Sequence, residues 1–283
     1  HGKISASPFF FEEHMAKKIT PEDDVFTQIN KKFGHGTVRM LADAPADYCG
    51  VPTASKALDI ALGGKGLPRG RIIELFGGES SSKTSLALQT VGMLQKAGEK
   101  CAYIDAEHAL NLEWARRLGV EFNTLAFVQP DWGEQALQVA EAFIKSKQYS
   151  LIIIDSVAAL VPKAELDGEA TDQHVGLQSR MMGQAIRRLT GVIDATQATV
   201  VFINQMRDTI GKFGFGPKTT TPGGRALKFA ASVRIELARV STIKKAGEAI
   251  GIQVKAKVVK NKMAPPFREC EFRLFYENGI VDV

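Results

Sequence analysis

The sequence predicts an α/β protein with a mostly parallel central sheet, helices on its flanks and an antiparallel β extension. Three observations carry that reading. Between residues 71 and 204, short apolar runs alternate with stretches of helical period. Two of the runs, LIIID (Leu151–Asp155) and TVVFIN (residues 199–204), are apolar almost throughout, as strands buried on both faces of a parallel sheet are. Beyond Ala231 the pattern changes to strands joined by short turns, at residues 233–240, 252–259 and 271–276.

The elements follow in order. Thr20-Pro21-Glu22-Asp23 reads as a helix start, with a hydroxyl cap, proline at the first position and acids at the positive end of the dipole. Val25, Phe26, Ile29 and Phe33 then share one face, and Gly34 ends the helix. That apolar face needs a partner, either its own core or a neighbouring subunit. A linker through Pro45 and Gly50 leads to the alternating region. There, strand 71–76 (RIIELF) precedes helix 83–97, and strand Cys101–Asp105 precedes helix 110–118. Strand Leu125–Val128 precedes a helix from Trp132 to about Lys147, and strand Leu151–Asp155 precedes helix 176–195. No internal repeat and no low-complexity segment interrupts the series.

Residues 1–15, HGKISASPFFFEEHM, begin with His and lack the pattern of a signal peptide. They read as the remnant of an expression tag with Met15 as the native start, the alternative being a natural apolar docking arm. Residues 16–50 form the N-terminal helix and linker, and residues 51–283 the core.

The 283 residues are 45% hydrophobic and 24% charged, the composition of a globular protein with a sizeable core. No apolar run is long enough to span a bilayer, so no membrane partner is expected. Lys plus Arg exceed Asp plus Glu by 5, which is compatible with a polyanionic partner. Cys49, Cys101 and Cys270 are far apart, without metal-ligand spacing, and read as free thiols of a reducing compartment.

The chemistry concentrates in GGESSSKTS, residues 77–85. The phosphate-loop template G-x-x-x-x-G-K-[ST] is met by Gly77, Lys83 and Thr84, with Ser82 in place of the second glycine. A buried strand enters the loop and an amphipathic helix leaves it, which aims backbone N–H groups and the helix dipole at an anion. Gly77, Gly78, Glu79, Ser80, Ser81, Ser82, Lys83, Thr84 and Ser85 are therefore the candidate nucleotide loop. Lys83 would reach the terminal phosphates and Thr84 would hold Mg²⁺. If Ser82 needs a positive φ, the strain is about 1–2 kcal/mol. Reduced affinity is the expected consequence, rather than a dead site.

Asp155 ends LIIID, where it either serves the metal or caps the turn into Ser156. Glu107 follows CAYID at the carboxyl edge of the sheet, where it either activates water or caps the next helix, beside His108. Asn204 and Gln205 end TVVFIN on that edge, where a side-chain amide either senses a phosphate or satisfies a strand end. Residues 206–224, MRDTIGKFGFGPKTTTPGG, form a long aperiodic loop rich in glycine, threonine and basic residues, either suited to phosphate contacts or a plain flexible loop. A shorter polar loop, residues 165–176, precedes the helix carrying Arg180, Arg187 and Arg188.

From the Thr20 helix to the Gly279 region the chain resembles the bacterial RecA family of DNA strand-exchange ATPases. The likeness rests on LDIALGGKGLPRGRIIELFG, CAYIDAEHAL, LIIIDSVAALVPKAE, FINQMR, TTTPGGRALKFAASVR and KAKVVKNKMAPPF, all in the family's order. The resemblance implies a RecA-like P-loop ATPase core with an N-terminal docking helix, using ATP and Mg²⁺. It makes Glu107 the catalytic glutamate, Asp155 with Thr84 the metal site, and Gln205 the switch between γ-phosphate and DNA loop. Trp114 falls where an aromatic ring stacks on adenine, and Lys260 and Lys262 match a pair reaching the neighbouring subunit's ATP. Val175 and Ile210 match apolar wedges between bases. Gly176, Arg180, Arg187, Arg207, Gly223, Gly224 and Arg225 belong to the implied DNA-binding set.

The implied protein is a cytoplasmic recombinase that coats single-stranded DNA as a homo-oligomeric helical filament and pairs it with homologous duplex DNA. The alternative is a non-hydrolysing RecA-like filament or accessory adaptor, favoured by Ser82; a motor moving along DNA is a third reading. Further departures are Asn111 where an acid near adenine is common, Pro222 within TTTPGG, and Val175 in place of methionine. The family's C-terminal duplex-DNA domain is expected to be absent after Val283, through either a naturally short form or truncation.

Overall fold

The computed structural model describes residues 24–40, 50–168, 176–208 and 219–282. The chain divides into two units, His1–Asp47 and Tyr48–Val283. In the first, helix α1 (Val25–Phe33) is capped by Asp24, whose carboxylate accepts from the Phe26 amide at 3.2 Å, and ends at Gly34 with φ 109°. The expected start at Thr20 lies outside the described residues. Asn30 ties the following turn back to the helix through Val38, donating to its carbonyl at 3.0 Å and accepting from its amide at 2.9 Å. None of the residues of α1 is buried, and Val25 and Phe33 are 57% and 65% exposed.

The second unit opens with β1 (Gly50–Val51), α2 (Lys56–Ala61) and β2 (Leu67–Pro68), the two strands pairing antiparallel. The predicted alternation follows: β3 (Ile72–Gly77), α3 (Lys83–Lys96), β4 (Cys101–Asp105), α4 (Leu112–Arg117) and β5 (Leu125–Val128). It continues through α5 (Gly133–Lys145), β6 (Leu151–Asp155), the single turn α6 (Lys163–Leu166), α7 (Leu177–Thr196) and β7 (Thr199–Gln205). Next come β8 (Arg207–Asp208), β9 (Thr219–Thr220), α8 (Gly224–Ala230), β10 (Val233–Lys245), β11 (Glu248–Asn261), β12 (Glu269–Phe275) and β13 (Gly279–Asp282).

Nine strands form one sheet in the order β13-β12-β11-β10-β3-β7-β6-β4-β5. The six from β10 to β5 run parallel, and β11, β12 and β13 extend the sheet antiparallel, as predicted. Alternation along each parallel strand divides the core. Ile73, Leu75, Tyr103, Ile153 and Val201 pack with Leu88 of α3 on one face; Ile72, Ile104, Ile154 and Phe202 pack with helices α5 and α7 on the other.

Several features differ from the sequence reading. β1, α2, β2, α6, α8 and β13 were not expected, β10 runs on to Lys245 rather than residue 240, and β11 begins at Glu248 rather than residue 252. Beyond Leu237, β10 carries mostly exposed side chains, so its apolar alternation ends while its pairing continues to Lys245 with Glu248. Ala246 and Gly247 close that hairpin with φ of 50° and 90°, the left-handed pair a two-residue turn requires. Among the described residues no helix is long and apolar enough to cross a membrane.

Candidate nucleotide site and DNA-loop edge

Parallel strands bring their carboxyl ends to one edge, so Gly77, Asp105, Asp155 and Gln205 meet there. The register sets Gly77 opposite Gln205 and Asp105 opposite Asp155. Gly77 must be glycine for steric reasons: a Cβ there would lie 2.1 Å from the Leu237 carbonyl oxygen.

Within the loop, the Lys83 ammonium donates to the carbonyls of Gly77 at 3.2 Å and Gly78 at 2.6 Å and approaches Ser81 Oγ at 3.3 Å. Burial pushes its pKa below the ordinary lysine value, while Asp155, Glu107 and Glu79 draw it back up. Ser82 has φ 70° and ψ 17°, so the left-handed conformation expected of a second glycine is adopted by serine. That conformation costs about 1–2 kcal/mol in a residue with a Cβ. Its hydroxyl is buried without a partner, which costs a further ~1–3 kcal/mol in the free protein.

Asp155 does not cap the turn that follows it. Its Oδ2 accepts from Thr84 Oγ1 at 2.7 Å and from Tyr103 Oη at 2.7 Å. Burial raises its pKa; the Tyr103 and Thr84 hydrogen bonds oppose this, and the charges of Glu107 and Asp105 reinforce it. Burial likewise pushes the Tyr103 phenol well above its usual value, so it stays a donor.

Glu107 does not cap a helix either. Its Oε1 accepts from Ser156 Oγ and, at 2.8 Å, from Gln205 Nε2. The helix cap is Asn111, whose Oδ1 accepts from the Trp114 amide at 2.9 Å. His108 is a satisfied polar residue, with Nε2 3.0 Å from the Pro130 carbonyl oxygen. Asn204 and Gln205 have different partners. Gln205 reaches Glu107, whereas Asn204 is buried and donates to Glu74 Oε1 at 3.0 Å and to the Pro222 carbonyl at 3.1 Å.

Beside the phosphate loop, Ser80, Ser82, Ser85, Asn111, Trp114 and Tyr276 help line an open groove continuous with solvent. The Trp114 indole N–H donates to Ser85 Oγ at 3.1 Å, fixing the ring against the first turn of α3.

The same edge carries the DNA-loop candidates. Gly176 and Gly223 begin α7 and α8 with φ of 80° and 85°, and neither helix start has a side-chain cap. A Cβ on Gly223 would meet Val157 Cγ1 at 2.7 Å, so glycine is required there. Gly224 is left-handed as well, and Arg180, Arg187, Arg207 and Arg225 are exposed. The predicted loop 206–224 is not wholly irregular: Arg207 pairs with Thr220 and Asp208 with Thr219 at its base. Val175 and Ile210 lie outside the described residues. Lys260 and Lys262 are well away from the phosphate loop in sequence, and Lys260 Nζ donates to the carbonyls of Lys228 at 2.8 Å and Phe229 at 2.9 Å, closing the end of α8.

Sequence reasoning missed four contributors: Tyr103, Ser156, Glu74 and Arg234. Glu74 is fully buried and paired with Arg234 Nε at 2.5 Å, and the Arg234 guanidinium also lies 4.6 Å from the centre of the Phe76 ring. An acid inside the apolar run RIIELF was the available signal, because a buried carboxylate needs a partner.

The site suits a magnesium nucleotide. Among the described residues no group of three His, Cys, Asp or Glu side chains forms a metal cage. Mg²⁺ is ordinarily held by one or two protein oxygens together with substrate phosphates, which matches Thr84 and Asp155. The buried, unpartnered Ser82 hydroxyl lies in the same loop.

Residues 22–281 match the family model described as the RecA N-terminal domain. Protein RecA of Clavibacter michiganensis subsp. michiganensis is 52% identical over 259 residues, covering 91% of this chain and 71% of that protein. Protein RecA of Wolinella succinogenes is 53% identical over 270 residues, covering 95% and 76%. Protein RecA of Sulfurovum sp. is 52% identical over 266 residues, covering 94% and 77%. Phosphate loop, strand-end acids and flanking glycine-started helices thus occur in a chain that belongs to the RecA family of homologous-recombination proteins.

Proposed function

We propose that this chain is a DNA-dependent ATPase that coats single-stranded DNA as a helical filament of its own copies, in the cytoplasm, and pairs it with homologous duplex. The observation that carries the reading is the Gln205–Glu107 hydrogen bond, which joins the strand leading into the long loop to the candidate catalytic acid.

Lys83 binds the terminal phosphates once it leaves the loop carbonyls, and Thr84 and Asp155 hold Mg²⁺. Mg²⁺ held there would supply positive charge to the phosphates. Glu107 Oε1 is occupied by Ser156 and Gln205, which leaves Oε2 to take the proton of an attacking water. Trp114 offers a stacking face to the base beside Asn111. Lys260 and Lys262 reach the nucleotide of the adjacent copy, on which α1 docks through Val25 and Phe33. Gly176, Arg180, Arg187, Arg207, Gly223, Gly224 and Arg225 hold the DNA backbone, and Val175 and Ile210 wedge between bases.

ATP hydrolysis measured at low salt, with and without single-stranded DNA, tests this. DNA should raise turnover, and Glu107→Gln should lower it about 100-fold or more while nucleotide and DNA binding persist. DNA binding without any turnover in the parent protein would instead favour the non-hydrolysing filament.

A further inference from the structure

Serine at position 82 is costly to the free protein on two counts, its left-handed backbone and its orphaned hydroxyl, and glycine would avoid both. Two other serines of this segment, Ser81 and Ser85, are engaged. Ser81 Oγ donates to the Gly78 carbonyl at 2.8 Å, and Ser85 Oγ accepts from Trp114 at 3.1 Å. Ser82 Oγ is one of two buried side-chain polar atoms among the described residues that have no hydrogen-bond partner.

A second serine at a helix start shows what is unusual. Ser55, at φ −124°, accepts from the Leu58 amide at 3.2 Å and so caps α2 in the ordinary way. Ser82 starts the 14-residue helix α3 from the left-handed region and makes no such bond. Its conformation leaves the first-turn N–H groups of α3 without a side-chain cap; the residue is among those lining the groove beside the loop, only 7% of it is exposed, and its hydroxyl is buried. A helix start of this kind favours an anion, and a hydroxyl there is a further donor.

We infer that the Ser82 hydroxyl is a phosphate ligand: it donates to the phosphate chain of the bound nucleotide, so serine strengthens the site it was expected to weaken. The inference rests on the nucleotide reading of the loop and deepens it. Ser82→Ala keeps the Cβ and deletes the donor, whereas Ser82→Gly deletes the donor and relieves the backbone.

The test is calorimetric titration of each folded protein with Mg-ADP, alongside melting of the ligand-free proteins. Both variants should bind Mg-ADP about tenfold more weakly than the parent, a change of ~1.4 kcal/mol. Ser82→Gly should melt at a higher temperature than the parent without ligand. Unchanged or tighter Mg-ADP binding by both variants would overturn the inference and leave the nucleotide site standing. If the folded parent fails to bind Mg-ADP, or binds no better than Lys83→Ala, the nucleotide reading falls as well.

Discussion

Two buried carboxylates, on the two strands that flank β7, are treated in opposite ways. Glu74, in the interior of β3, has a guanidinium as its partner and Asn204 on its other oxygen. Asp155, at the end of β6, has only neutral donors, Thr84 and Tyr103, with Glu107 and Asp105 near enough to disfavour its charge. The first cluster is electrostatically complete within the chain. The second has no cation hydrogen-bonded to Asp155, although Lys83 lies close enough for Asp155 and Glu107 to act on its charge. Burial alone therefore does not distinguish the two acids; the charge of the groups that hydrogen-bond them does.

The largest effect should come from breaking the complete cluster. Arg234→Met leaves Glu74 buried without a cation and should destabilise the protein by about 3–5 kcal/mol in urea unfolding. Adding Glu74→Gln should recover part of that loss, and no recovery would mean that the arginine acts through packing on Phe76 instead. A smaller loss is expected in the open cluster. Tyr103→Phe removes one of two donors to Asp155 and should cost about 1–2 kcal/mol.

Asp155→Asn should have the smallest effect on stability in chelator and the most diagnostic one. With its pKa raised above 3.8, folded Asp155 keeps its proton at pH values where the unfolded chain has lost it. Its contribution is therefore present at low pH and declines as pH rises through the raised folded value. The asparagine variant should flatten that decline while losing the magnesium dependence of nucleotide binding. A parent stability curve superimposable on that of Asp155→Asn would show that the two clusters do not differ in this way.

The contrast was only half legible in the amino-acid order. LIIID and TVVFIN announce buried parallel strands, and polar residues at their ends must gather at one edge once the strands are parallel. That places Asp155, Glu107 and Gln205 without knowledge of the strand order. Tyr103 is different. It sits within CAYID as an ordinary core residue, and its hydroxyl matters only because β4 lies directly beside β6. Glu74 and Arg234 are 160 residues apart, and their meeting depends on β10 joining β3 in parallel. α8 escaped notice because glycines and a proline precede it, residues that usually signal a loop rather than a helix start. The charge of the loop was legible; the orphaned hydroxyl at Ser82 was not, since an unmade hydrogen bond leaves no trace in a sequence.

The inward fold of the Lys83 side chain has a consequence for selectivity. Its ammonium donates to two loop carbonyls and lies near a serine oxygen. An incoming anion does not simply add to a waiting charge; it must outbid three oxygens for the same protons. A weakly charged solute gains too little from the exchange, whereas a polyphosphate gains enough to make it. The loop carbonyls thus compete with any such anion for the Lys83 ammonium.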